Sequence, residues 1–525
     1  MPNFRTTFAA QLINIHRKRT CSSYKFMQSS QKDNHNPVLD CSQVKSFKEI
    51  PGPRGLPYFG SLFDYMTGTH DYRTMREILK SFHDNYGPVV KETRSGDTFV
   101  HLFHLDDICG VLRNSQVQTD VYPLFPPLGF YRRWRRIGPG IGNVNGEEWH
   151  TLRGLVQSHI LRPNIVADYL PFINEVADDF LTRLPGIQTA NGEVPNLYEE
   201  VTKWHLKSTA RNVFETNPGF FDNEVNEFFD VRSMIEATQT VVRSATRLYY
   251  SLPLYRYVRT TQWDTMVKSA DYLFGGLQKL LDRAVDDIKV LSATNQLPDD
   301  KYSFLRHVMS RSGDIPYSEW GMLSLDMVFD GLIATPAVLI WNLFTLSKYS
   351  HVQDKLFEEV EKTVPRGENV TKDHIKKMKY MKAFLKETSR FFPLTVELTR
   401  IPQQDTVVGG YHITKGTILS LNSLVFYHSP EYFVAPEQFQ PERWLRENTS
   451  EDYNPYTLLP FGHGTRMCLG RRFAELELSV MLVKILQRYR LQWMGKVDMG
   501  QEFHSVHVPD CAARVKFIER QEMQQ

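Results

Sequence analysis

The stretch Pro460-Phe461-Gly462-His463-Gly464-Thr465-Arg466-Met467-Cys468-Leu469-Gly470-Arg471-Arg472 constrains this chain more than any other. A single cysteine stands among glycines with an arginine two residues before it. A helix pattern, Arg471-Arg472-Phe473-Ala474-Glu475-Leu476-Glu477, starts directly behind it. A sulfur so placed lies at the mouth of a helix, where backbone N–H groups and the positive end of the dipole favour the thiolate. Gly464 and Gly470 let the backbone approach something flat. Phe461 can shield the sulfur, and Arg466 can pair an acidic group on a ligand.

A soft anionic sulfur held this way fits the axial ligand of a haem iron. The segment resembles the haem-binding loop of the cytochrome P450 family, F-x-x-G-x-R-x-C-x-G, at Phe461, Gly464, Arg466, Cys468 and Gly470. The resemblance implies a mainly α fold with small β-sheets, built as one large haem-binding domain over residues 50–525. It implies haem b (iron protoporphyrin IX) as cofactor, with Cys468 on the iron.

Two further motifs precede the loop in the family's order. Glu387 and Arg390 are three residues apart on a predicted helix and share a face. Pro441-Glu442-Arg443-Trp444 follows. By resemblance, Glu387, Arg390 and Arg443 form a buried triad that braces the haem site. Trp149 and Arg153 lie four apart on another helix. Indole N–H and guanidinium are donors without acceptors, suited to the haem propionates. Arg400 resembles a further propionate partner, so Trp149, Arg153, Arg400 and Arg466 are expected around the carboxylates.

Lys376, Lys377, Lys379, Lys382 and Lys386 crowd the approach to Glu387, and Arg471 and Arg472 follow the cysteine. Such a patch would steer an acidic electron donor. Lys382, Lys386, Arg471 and Arg472 match what the mitochondrial branch of the family presents to a small acidic 2Fe–2S ferredoxin.

One stretch departs from the family. In Leu325-Asp326-Met327-Val328-Phe329-Asp330-Gly331-Leu332-Ile333-Ala334-Thr335-Pro336, Ile333 and Ala334 stand where many members carry an acid and a threonine that relay protons. Neither side chain can do so. Asp330 and Thr335 are the remaining candidates for that role, although Thr335 is rotated by about 100° on the helix. Pro336 has no N–H for the carbonyl of Leu332 and is expected to open the helix there.

Residues 1–33 read as a mitochondrial targeting leader. Six Lys or Arg precede the first acid, Asp33, and Phe4, Phe8, Leu12 and Ile15 recur at helical spacing. No run of about 18 apolar residues lies near it, so no transmembrane anchor is expected there. Residues 34–49 read as a linker, and the proline-rich Ile50–Pro57 as the start of the globular part. A net charge of +2 argues against a nucleic-acid binder. Five scattered cysteines form no disulfide framework.

The expected activity is hydroxylation of a lipophilic molecule (sterol-like, secosteroid or xenobiotic) with dioxygen and ferredoxin electrons. The aromatic Val121–Gly140 loop and the Leu248–Tyr257 stretch are expected near the substrate, the second with peripheral membrane contact at the matrix face of the inner membrane. The altered helix leaves two alternatives open: a haem-thiolate isomerase or dehydratase that needs no dioxygen, and a non-catalytic haem-binding protein.

Overall fold

From Trp320 to Leu346 the chain is mostly apolar all round, with Asp326 and Asp330 its only charged residues, and such a helix must be largely buried. In the computed structural model this run is the Tyr317–Lys348 helix, the spine of the molecule. It is long and apolar enough to cross a membrane, but 72% of its most apolar window is buried within the protein, as in a core helix. The structure describes residues 44–114, 120–216, 219–221, 226–447 and 454–520. The leader therefore lies outside the described residues.

Two hydrophobic cores meet along this helix. Leu323, Leu325, Val328, Phe329, Leu332 and Ile333 pack with the Pro126–Arg135, Gly146–Ile160, Val231–Tyr249 and Thr261–Ala293 helices. Ala337, Leu339, Ile340, Trp341, Leu343 and Phe344 pack instead with the Leu170–Ile187, Lys379–Phe391 and Arg471–Arg488 helices. The changeover falls at Ala334–Pro336. The helix runs through Pro336 without a break, so the expected opening at Leu332 is not observed. One amide donor is lost, and packing on both sides holds the flanking turns in line.

The main sheet has four strands in the order Val89–Arg94, Asp97–Leu102, Ile418–Leu421, Leu398–Arg400. The middle pair is parallel and the outer pairs antiparallel. Among the described residues, three two-stranded ribbons complete the paired strands, and the other regular elements are helices. In the turns after Thr406, Gly409, Gly410 and Gly416 are all at positive φ.

At the amino-terminal side, contacts with the globular unit begin at Lys45, within the segment read as a linker. Lys45 bridges to Tyr411, donating to Gly410 and accepting from His412. The proline-rich run packs on the first strand, where the Pro51 carbonyl accepts from the Lys91 N–H at 2.7 Å.

Candidate active site

The cysteine loop closes on itself: the Cys468 N–H donates to the Phe461 carbonyl at 2.9 Å. Gly462 and Gly464 sit at φ +71° and +73°, a left-handed conformation that needs glycine. Gly470 does not, since it caps the Arg471–Arg488 helix at φ −76°. What its small size serves is the sulfur, because an added Cβ would lie 3.9 Å from Sγ. The Cys468 side chain is exposed, yet loss of hydration is the largest influence on it and raises its pKa. The N–H groups of Gly470 and Arg471, with the charge of Arg153, act the other way. A group both accessible and poorly hydrated lines an internal cleft. The helix mouth was expected to lower this pKa, and here burial outweighs it. A bound cation such as a metal would then stabilise the thiolate.

Trp149, 2% exposed, has two guanidinium groups against its ring. The Arg466 guanidinium lies 3.9 Å from its ring centre and that of Arg153 5.3 Å away. Such contacts contribute about 0.5–2 kcal/mol each. Arg466 also donates to the Val144 carbonyl at 3.1–3.2 Å and to Asn145 Oδ1 at 2.6 Å. Arg153 donates to the Met467 carbonyl at 3.0 Å, next to the cysteine. Arg400, set by the pairing of its strand with Leu419, donates to the His463 carbonyl at 3.1 Å. All three guanidinium groups are therefore tied to the loop or to the segment facing it.

These residues fit the cofactor. Burial lowers Arg153 and Arg400 to about 10 and Arg466 to about 9. Among the described residues, neither Arg153 nor Arg400 has a carboxylate at ion-pair distance, and Arg400 Nε is buried with no hydrogen-bond partner. Buried cations of this kind call for anionic ligand groups. Two propionates beside a thiol-coordinated iron would supply them.

Behind the loop, Glu387 and Arg390 are fully buried. Glu387 accepts from Arg390 at 2.8 and 3.0 Å, Arg443 Nε at 3.1 Å, Trp444 Nε1 at 2.8 Å and the Gln440 N–H at 2.9 Å. Arg390 donates in turn to the Tyr427 carbonyl at 2.7 Å, and the Tyr427 hydroxyl accepts from the Leu459 N–H at 3.2 Å. A continuous chain of bonds thus runs from the triad to the residue before Pro460-Phe461. Tyr427 and Asn145 were not anticipated. Their roles depend on partners 32 to 321 positions away, which no local pattern marks.

On the central helix, the residues between Trp320 and Ser347 that are not buried are Met327, Asp330, Gly331, Ala334 and Val338. Their three- and four-residue spacing makes one stripe. Asp330 is exposed on it, burial and the nearby Asp326 push its carboxyl up to about 7, and its charge acts on Cys468. The two groups are thus within electrostatic reach of each other. Thr335 is 5% exposed and off the stripe; Ala334 occupies the accessible place. The two relay candidates are thus not brought together. One turn before Asp330, Asp326 is bound by Arg132 at 2.5 and 3.2 Å, both residues being buried. This ion pair, unanticipated, fastens the Pro126–Arg135 helix over the cleft.

The cationic patch does assemble. Arg471 and Arg472 pair with Glu475 at 2.9 and 3.5 Å. Lys386 lies 5.6 Å from the Trp444 ring centre and is lowered first by desolvation and then by the charge of Arg471. Lys382 is likewise lowered by desolvation, against the pull of Glu359 and Glu475. Both lysines are exposed. Arg471 reaches Met467 Sδ at 3.6 Å, so the patch is continuous with the outer side of the cysteine loop.

A cleft-facing thiol, guanidinium groups lacking anions and a braced loop together define a haem-thiolate site. The cytochrome P450 family model matches residues 50–517, and the chain belongs to that family. It is 30% identical over 482 residues to a probable cytochrome P450, CYP44, of Caenorhabditis elegans, covering 90% of this chain and 94% of that one. It is 27% identical to the probable mitochondrial cytochrome P450 301a1 of Drosophila melanogaster, covering 90% and 86%. It is also 27% identical to the mitochondrial 1,25-dihydroxyvitamin D(3) 24-hydroxylase of Rattus norvegicus, covering 86% and 85%. The chain is a P450 monooxygenase of the mitochondrial-type branch, and its cofactor is haem b.

Proposed function

We propose that this monooxygenase works in the mitochondrion, at the matrix face of the inner membrane. It hydroxylates a lipophilic molecule (sterol-like, secosteroid or xenobiotic) with electrons from a small acidic 2Fe–2S ferredoxin. The observation that carries this reading is the juxtaposition of Cys468 with the Lys382–Lys386–Arg471–Arg472 patch on the outer side of its loop. The mitochondrial relatives support it. So do the exposed Leu254, Tyr257 and Val258 in the connection after the Val231–Tyr249 helix, which suit a membrane interface.

Cys468 would hold the iron, and Trp149, Arg153, Arg400 and Arg466 the propionate side, with Phe461, Gly464 and Gly470 shaping the loop. When bound, haem b supplies the activation of dioxygen and the insertion of one oxygen atom into a C–H bond. Phe125, Phe329, Leu332 and Ile333 pack in the core that supports this part of the helix. Asp330 presents the polar group that substrate meets, while Thr335 sits outside the stripe.

The test is reconstitution of the purified holoenzyme with a mitochondrial ferredoxin and its reductase, against a lipid panel. Hydroxylated product that requires ferredoxin and dioxygen is the expected result. A second reading draws on one observation: Ala334 on the accessible stripe has no proton to give. It is isomerisation or dehydration of a pre-oxygenated substrate, and product formed without dioxygen or reductant would select it.

A further inference from the structure

Asp330 is a carboxyl with no ion pair and no hydrogen bond among the described residues. The central helix brings Asp326 and Asp330 within one turn, and one guanidinium faces them. Arg132 spends that charge on Asp326, with both Nη atoms on the carboxylate, and the Ile141 N–H adds a third bond at 3.3 Å. Among the described residues, Asp330 has no cation at ion-pair distance and no hydrogen-bond donor. Arg153, Arg400 and Arg466 are bonded to the loop region instead. The rest of the stripe is apolar, formed by Met327, Gly331, Ala334 and Val338.

We propose that the cleft is built for a lipophilic cation, an apolar molecule bearing an ammonium group that the Asp330 carboxylate holds. This rests on the monooxygenase reading of the cleft and narrows its substrate class. A hydroxyl would satisfy one carboxylate oxygen and leave the charge uncompensated in a poorly hydrated site. An ammonium answers both the oxygen and the charge, and charge pairing strengthens as water is excluded. Asp330 is thereby a specificity residue that touches substrate, and its ionised form is the one that binds.

The test is calorimetric titration of the haem-loaded protein with two matched probes. One is a bulky hydrocarbon carrying a trimethylammonium group, and the other is its neutral tert-butyl isostere. A quaternary nitrogen has no lone pair, so it cannot ligate iron. The wild type is expected to bind the cation at least about tenfold tighter than the isostere. In Asp330→Asn that ratio should fall to about one while the isostere binds within about twofold of wild type. Asp330→Glu should keep the preference, and Asp330→Ala gives the same reading should the asparagine variant not load haem. No preference in the wild type, or a preference surviving in Asp330→Asn, overturns the proposal. A carbon monoxide spectrum of the same sample separates the two readings. Loss of the thiolate band sinks the monooxygenase assignment itself, whereas a sound band without cation preference sinks only the substrate class.

Discussion

Glu387→Ala should cost the protein its haem rather than its chemistry. Glu387 Oε1 accepts from Arg390 Nη2, Arg443 Nε and the Gln440 N–H, and Oε2 from Arg390 Nε and Trp444 Nε1. Removing one partner of a buried pair costs about 3–5 kcal/mol because the survivor stays charged and unpaired. With two guanidinium groups left behind, the upper end applies. A loss of about 5 kcal/mol is a large part of a stability that is ordinarily about 5–15 kcal/mol. Glu387→Gln keeps one acceptor but turns an NH2 towards two donors, so about 3 kcal/mol is expected. The surface pair Lys355–Glu442, at 2.7 Å with 53% and 31% side-chain exposure, is the control; breaking it should cost under about 1 kcal/mol. Denaturant midpoints and haem per polypeptide are the readouts. The order wild type, Glu387→Gln, Glu387→Ala is expected in both. An alanine variant with the wild-type midpoint and full haem would refute the bracing argument.

Further outcomes follow from the same geometry. Arg400→Met should stabilise the apoprotein by up to about 3 kcal/mol, since burial lowers the arginine from 12.5 to about 10, while weakening haem retention; denaturation of the apo and loaded forms should move in opposite directions. Burial alone would raise Glu92, but Arg94, His101 and Ser61 overcome it and hold the carboxyl at about 2 against an ordinary 4.5. Its folded pKa is depressed, so its contribution, about 3 kcal/mol, is complete above pH 4.5 and is lost as pH falls towards 2; acid unfolding of Glu92→Gln should be correspondingly flatter over that window. Ala334→Thr lies on the accessible stripe and should alter stability by less than about 1 kcal/mol, whereas Ile333→Asp, placed in the apolar core at 7% exposure, should lose several. Lys382→Glu with Lys386→Glu should slow reduction by ferredoxin about tenfold or more at low salt, a difference that shrinks as ionic strength rises.

The parts of the site that lie on one short segment were legible in the sequence. Phe461 to Arg472 carries its glycines and cysteine within one loop, and Glu387–Arg390 and Trp149–Arg153 declare their pairing by helical spacing. What stayed hidden depends on distant chain positions or on burial. Arg132 meets Asp326 across 194 residues, and Asn145 meets Arg466 across 321. The thiol's pKa was misjudged because a helix mouth can be read from sequence and the loss of hydration around it cannot. Pro336 is expected to open its helix on local rules, and the two cores that pack on the continuous helix either side of it are non-local. The strand Leu398–Arg400 is not legible in the sequence, because three residues carry too little alternation to register.

The account rests on Cys468 as the iron ligand. The most direct measurement is the carbon monoxide difference spectrum of the reduced protein, wild type beside Cys468→Ser. The wild type should show the red-shifted band of a thiolate-ligated haem, and the serine variant should lack it. A wild-type spectrum without that band, or a serine variant that keeps it, would contradict the assignment.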